Sequence, residues 1–276
     1  LLILAILKSR IETSSPLKAS DFFRVAVVGA AALFAAPALL AAPALMAAPA
    51  WAKSCVDLAQ DGKPYTICRF DPRTDDIRTF WLGPSGEALG SFAGVSASLK
   101  PGEHLAFAMN GGMYDRDNSP VGLYIEHGEE ERRANTRSGA GNFHLKPNGV
   151  FFVGGGKAGI VETSRFLKER PAAEYATQSG PMLVIGGKVH PRIHAEGVSE
   201  KSRNGVGIDR DGAAVFAISN EPVTFHAFAS LFRDALHCDN ALFLDGSISA
   251  LYAPELGRDD FTLPLGPMIG VVIKDK

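Results

Sequence analysis

Val206-Gly207-Ile208, Arg210-Asp211-Gly212 and Ala214-Val215-Phe216-Ala217-Ile218 follow one another almost without a break, two apolar runs joined by residues that tolerate a tight turn. This is the pattern of a β-hairpin. A second one is spelled by Met182-Leu183-Val184-Ile185, Gly186-Gly187 and Lys188-Val189-His190. On either side, residues 65–70, 77–82, 105–109, 121–126, 150–153, 241–244 and 268–273 read as further strands, most of them bounded by Gly, Asn or Asp. The first two of these, separated by residues 71–76, are expected to pair as a hairpin. Residues 224–237 form the clearest helix, with Thr224 as N-cap and Phe225, Phe228, Phe232 and Leu236 recurring at three- and four-residue spacing, a core stripe. Residues 164–170 form a shorter helix stopped by Pro171. Many strands and few helices specify an α+β fold, a single domain with a mixed, largely antiparallel β-sheet core and a few flanking helices.

Composition narrows the function. The 276 residues are 46% hydrophobic, and 28 Lys+Arg against 30 Asp+Glu leave a formal net charge of −2. A disordered tail, a collagen-like fibre and a basic nucleic-acid coat are excluded, so no nucleic acid is expected as a partner. An anionic substrate must be met by positive charge placed locally.

Arg24 precedes a charge-free apolar run that ends at Lys53, is broken by Pro37, Pro43 and Pro49, and closes on Ala50-Trp51-Ala52. The run reads as an export signal with its small-residue cleavage site. Residues 1–52 are therefore an N-terminal extension and signal peptide, with no fold assigned to residues 1–20, and 53–276 the working domain. The expected location is periplasmic or secreted, with no stable membrane insertion after cleavage. In an oxidising compartment Cys55 and Cys68 can close a short loop, while Cys238 reads as a small buried apolar residue. His190 and His194 flank Pro191, which argues against a ligand-bearing helix, so no metal site is assigned. No cofactor is called for. Asp115, Asp117 and Asn118 leave room for a divalent cation without completing a calcium loop.

Four polar clusters adjoin apolar strands. Asn110-Gly111-Gly112-Met113 can turn sharply and present N–H groups to an anion. Gln178-Ser179-Gly180-Pro181 precedes one strand, and Arg203-Asn204-Gly205 opens the hairpin, where an Arg beside glycine suits bidentate phosphate binding. In Leu244-Asp245-Gly246-Ser247, a carboxylate ends a buried strand, which is costly unless it is paired or functional. Gly246-Ser247-Ile248-Ser249 lacks the spacing of a serine-hydrolase elbow. Gly154-Gly155-Gly156-Lys157 lacks that of a P-loop and reads as a hairpin turn.

The order of these clusters, together with Pro120-Val121-Gly122-Leu123-Tyr124, Gly141-Asn142-Phe143 and Leu145-Lys146-Pro147-Asn148-Gly149-Val150, resembles the phosphodiester glycosidase family, the domain type of the uncovering enzyme and of exported bacterial proteins. The resemblance runs from Cys55 to Val272 and is nearest the bacterial branch, because Asp245-Gly246 is followed by Ser247-Ile248-Ser249 where the eukaryotic enzyme has Gly-Gly-Ser. It implies a hydrolase that releases free sugar and a phosphate monoester from a sugar-1-phosphodiester, with a sugar-phosphodiester or glycan as partner. On that reading Asp245 is catalytic, with Glu126 in reserve on a strand face turned toward solvent. Arg203 clamps phosphate. Asn110, Gly111, Gly112, Gln178, Ser179, Gly180, Asn204, Gly246 and Ser247 bind substrate. Two rivals are a polysaccharide-binding module without activity and a metal-dependent phosphodiesterase.

Overall fold

Strands that are apolar on both faces, such as Ala241-Leu242-Phe243-Leu244, need cover on both sides, and the architecture supplies it. The computed structural model describes residues 54–246, 248–261 and 263–275. They belong to a compact unit spanning Ala50–Lys276. In chain order the strands are β1 (Cys55–Gln60), β2 (Lys63–Phe70), β3 (Asp76–Phe80), β4 (Glu103–Asn110), β5 (Tyr124–Glu126), β6 (Glu129–Arg132), β7 (Gly149–Gly154), β8 (Lys157–Glu162), β9 (Tyr175–Ser179), β10 (Met182–Ile185), β11 (Lys188–Val189), β12 (Asn204–Ile208), β13 (Ala214–Ser219), β14 (Asn240–Asp245), β15 (Leu251–Ala253), β16 (Arg258–Asp259) and β17 (Met268–Lys274). Helices α1 (Phe92–Ser98), α2 (Thr163–Glu169) and α3 (Phe225–Ser230) lie between them.

These strands form a seven-stranded sheet in the order β1-β2-β13-β12-β14-β10-β11 and two five-stranded sheets, β16-β15-β4-β17-β3 and β6-β5-β9-β7-β8. Every ladder among the described residues is antiparallel. The α+β, largely antiparallel fold expected from the pattern is the one observed. All three sheets turn apolar faces to a shared core that includes Phe107, Phe151, Phe216, Leu242 and Leu244. The alternate residues of β14, Ala241 and Phe243, face the other way onto α3, so each face of the strand has its own core. Helix α1 covers the second sheet and Phe166 of α2 the third.

Local chemistry accounts for most of these elements. Thr224 caps α3, its hydroxyl accepting the Ala227 N–H at 3.1 Å. The helix is shorter than its periodicity suggests, because after Ser230 the backbone widens to π geometry over Leu231–Ala235. Gly155 and Gly156, with φ of 57° and 70°, make the two-residue turn between β7 and β8 that the failed P-loop motif indicated. Cys55 and Cys68 are directly opposed on β1 and β2 and form a disulfide. Closing a loop of this length contributes on the order of 3 kcal/mol. Cys238 is buried, and burial pushes its thiol up to about 12, which keeps it unreactive at neutral pH.

One expected pairing is not formed. Strands β2 and β3 are not partners: β2 pairs with β1 and β13, and β3 with β17 in a different sheet. The segment between them is a corner rather than a hairpin loop. The Asp75 carboxylate accepts the Asp71 N–H and Asp71 accepts the Arg73 N–H, which turns the chain from one sheet into the next. Strand β5 is also shorter than the apolar run 121–126, because Val121 and Leu123 direct their N–H groups to Met113 O and Gln178 instead of to a ladder.

Candidate active site

Sheet ends that carry buried polar residues need a partner for every donor and acceptor, and three such residues from two sheets solve this jointly. Asn110 ends β4, Asn204 begins β12 and Asp245 ends β14; all are buried. The Asn204 amide nitrogen donates to both the backbone and the side-chain oxygen of Asn110, each at 2.9 Å. Its oxygen accepts the Asp245 N–H at 3.0 Å. Asn110 in turn donates to Ile248 O at 2.6 Å and accepts the Ala250 N–H at 2.9 Å. The loop after Asp245 is thus fastened to β12 where it begins and to β4 at Ile248 and Ala250. The Asp245 carboxylate accepts the Gly246 N–H at 2.5 Å. Ser247 lies outside the described residues.

Tyr114 lies within electrostatic reach of this acid: burial first, and the negative charge of Asp245 second, push its phenol up to about 12. Its hydroxyl donates to Pro264 O. Sequence reading passed over Tyr114, although an aromatic residue just past the Asn-Gly-Gly turn was a usable signal. The turn itself is tightly constrained. A Cβ on Gly112 would fall 2.6 Å from the Gln178 carbonyl oxygen and against Thr177 Oγ1, so only glycine fits there, while Gly111 donates its N–H to Pro267 O at 2.7 Å.

Arg203 precedes β12 and is 2% exposed. Its Nε donates to Val223 O at 2.8 Å and Nη2 to Ser199 O at 2.9 Å, while the guanidinium lies 3.7 Å from the Phe225 ring centroid. No carboxylate among the described residues forms a salt bridge with it. Desolvation alone draws its pKa down to about 10, and it stays cationic at neutral pH. Gly246 rests against Phe243 and lies near Ser202 O, so the segments carrying Asp245 and Arg203 adjoin.

The Gln178 group is placed differently. The side-chain oxygen of Gln178 accepts from Leu123 and Asn135 N–H, both at 2.9 Å, and its nitrogen donates to Asn135 O at 2.9 Å and Thr163 Oγ1 at 3.2 Å. Its amide is fully engaged within the protein as a brace. Ser179 donates to Leu244 O at 2.9 Å and is buried, and Gly180 packs on Asn148. Glu126 does not face open solvent. It is half-buried, accepts the Tyr124 hydroxyl at 2.5 Å, and lines a cavity of about 460 Å³ with Arg78 and Glu103. Burial raises its pKa. Glu103 and Asn110 are the two ends of β4, about 23 Å apart along an extended strand, so Glu126 and Asp245 are associated with opposite ends of that strand.

His190 is buried, with Nδ1 accepting the Arg192 N–H. Asp117 is turned inward on Ser119, its oxygen taking both the backbone and side-chain donors. Among the described residues no group of three or more His, Cys, Asp or Glu is arranged to hold a metal ion.

The chain is 42% identical over 188 residues to the uncharacterized protein YigE of Escherichia coli (strain K12), covering 68% of this chain and 72% of the relative. Its fold is similar to that of the zebrafish N-acetylglucosamine-1-phosphodiester alpha-N-acetylglucosaminidase catalytic domain auto-inhibited by pro-peptide, with TM-score 0.56, 15% identity, and coverage of 80% of this chain and 82% of that one. A Synechocystis protein matches with TM-score 0.54 and 15% identity over 80% of this chain, which spans 61% of that protein. A Burkholderia pseudomallei protein named "Putative exported protein" matches with TM-score 0.51 and 10% identity, over 76% of this chain and 74% of that one. The phosphodiester glycosidase family model matches residues 103–271, which contain the Asn110, Arg203, Asn204 and Asp245 cluster, and the chain accordingly belongs to the phosphodiester glycosidase family of hydrolases.

Proposed function

We propose that this chain hydrolyses the glycosidic bond of a sugar-1-phosphodiester, releasing free sugar and a phosphate monoester, with Asp245 acting at the anomeric carbon and Arg203 facing the phosphate. One observation carries the reading. On adjoining segments the fold holds a carboxylate at the end of β14 and, before β12, a buried guanidinium that forms no salt bridge with an acid among the described residues. A buried cation without an internal counter-charge is costly, and a bound anion removes that cost.

In the reaction the C1–O bond breaks and its electron pair leaves with the phosphate oxygen. That leaving group needs little protonation. The positive charge that develops at C1 is opposed by the Asp245 carboxylate, and water supplies the new C1–O bond. Asn204 and Asn110 take no part in bond making; they hold the Asp245 backbone and the following loop in place. Export belongs to the same reading. The signal-like run before Lys53 lies outside the described residues, and the Cys55–Cys68 disulfide suits an oxidising compartment.

Hydrolysis in ¹⁸O-water tests the chemistry. Label in the C1 hydroxyl of the released sugar is the expected result. Label in the phosphate, or sugar phosphate as product, would place the cut at the P–O bond and overturn the glycosidase reading, and absence of turnover on a panel of sugar-1-phosphodiesters would favour a binding module.

A further inference from the structure

The segment Glu129-Glu130-Glu131-Arg132-Arg133-Ala134-Asn135-Thr136-Arg137 carries three acids and three arginines side by side, yet none of them pair with one another. Elsewhere arginines find acids readily: Arg69 pairs with Asp209, Arg78 with Asp76 and Glu103, and Arg258 with Asp260. Arg132 instead lies over the Trp81 ring, 5.8 Å from its centroid. Among the described residues Arg133 and Arg137 line a cleft of about 590 Å³ without a carboxylate in salt-bridge contact, although Asp115 and Glu131 also reach its wall.

The cleft is a built feature. Its outer wall is the strap 131–137, which the buried Gln178 amide grips through both the N–H and the carbonyl of Asn135. Asn135 completes the closure by donating from its side chain to Val121 O at 3.1 Å. Its inner wall, Pro120-Val121-Gly122, is tied to the Asn-Gly-Gly turn by the Val121 N–H to Met113 O bond at 3.0 Å. Asp115, on the cleft wall, follows that same turn, whose first residue, Asn110, belongs to the network that holds Asp245, and Tyr114 between them feels the Asp245 charge. The cleft therefore leads away from the proposed reaction centre. Two guanidinium forks on one wall suit a phosphate better than a neutral sugar.

We propose that this cleft is a second anion subsite, which takes a phosphate carried on the aglycone of a glycosyl phosphodiester; the proposal rests on the hydrolase reading above and names its substrate class. Two measurements on the full chain test it, using an Arg133→Gln/Arg137→Gln double variant, whose substitutions are exposed and leave the Asp245 network untouched. In the first, kcat/KM is compared for a sugar-1-phosphodiester with a methyl aglycone and one with a glycerol-phosphate aglycone. The wild type should prefer the second at least tenfold, and the double variant should lose that preference while keeping its rate on the methyl diester. Equal rates in the wild type, or equal losses on both substrates, would overturn the subsite. The second measurement, calorimetric titration with inorganic pyrophosphate at low salt, needs no turnover. Binding at least tenfold weaker in the double variant supports the subsite even if neither diester is hydrolysed, and unchanged or undetectable binding removes it even if hydrolysis is confirmed.

Discussion

Arg78, in the middle of edge strand β3, and Arg203, just before β12, are both largely buried arginines, and their surroundings differ completely. Arg78 donates to Asp76 at 3.0 Å and to Glu103 at 2.9 Å, and these two carboxylates raise its pKa further. Arg203 donates to two backbone carbonyls, stacks on Phe225, and has its pKa drawn down by burial. Around Arg78 the fold has closed its own charge balance. Around Arg203 it has fixed the orientation of a cation and left its charge to be met from outside, next to the segment that carries Asp245. A carbonyl accepts a hydrogen bond without neutralising the guanidinium, which is what separates a held cation from a paired one.

The largest effect that sharpens this contrast is on turnover. Asp245→Asn keeps the size of the side chain and removes its charge, so kcat on a sugar-1-phosphodiester should fall by roughly a hundredfold or more, with the melting curve little changed. Turnover near that of the wild type would discard Asp245 as the catalytic group. Next comes Asn204→Ala, which strips the donor from two Asn110 oxygens and the acceptor from the Asp245 N–H. Buried groups left without partners should cost about 2 to 3 kcal/mol in urea unfolding, with turnover falling as well because the loop after Asp245 loses its anchor.

An effect of comparable size separates the two arginines directly. If Arg203 awaits an anion, inorganic phosphate should stabilise the wild type by about 2.7 kcal/mol at a hundred times its Kd, a rise of a few degrees in Tm. Arg203→Met should abolish that rise. Arg78→Met, which deprives Asp76 and Glu103 of their cation, should lower the starting Tm and keep the phosphate response. A response that disappears in both variants, or in neither, would break the comparison.

How much of this was legible in the chain depends on where the information sits. Strand β10 matches its apolar run to the residue, and the turns at Gly155-Gly156 and Gly186-Gly187 declare themselves, because turn chemistry and apolar runs are local. Strand β6 does not, being a fully exposed edge strand of three glutamates and an arginine, and β9 mixes Tyr, Thr, Gln and Ser. Strand β9 owes its conformation to β5 and β7, distant in sequence, and β6 to β5 just before it across the His127-Gly128 turn, whose positive φ angles no apolar run announces. The supposed β2–β3 hairpin misread proximity in the chain as pairing, when each strand had a longer-range partner. For the site, Asp245, Asn110 and Arg203 stood out as polar residues next to buried strands. That Asn204 would join two of them, that Gln178 would spend its amide on Asn135, and that Glu126 would lie at the far end of β4 are tertiary facts with no local signature.

The smallest expected effect concerns Glu126, the acid that the fold sets apart from Asp245. Its pKa is raised chiefly by burial, with the Tyr124 hydroxyl bond acting in the opposite direction. An acid whose folded-state pKa lies above its unfolded value binds protons more readily in the native state. Its contribution to stability is therefore fully present at low pH and is lost as pH rises through the interval between the ordinary carboxylate value and the raised one. Glu126→Gln carries no titrating group and still offers Tyr124 an acceptor oxygen. Urea midpoints measured for both proteins at pH 4 and pH 7 should show the variant gaining on the wild type as pH rises, while its kcat at pH 7 stays within about twofold. Parallel pH profiles would mean that burial does not perturb Glu126. A kcat loss approaching that of Asp245→Asn would return Glu126 to the catalytic site and erase the distinction between the two ends of β4.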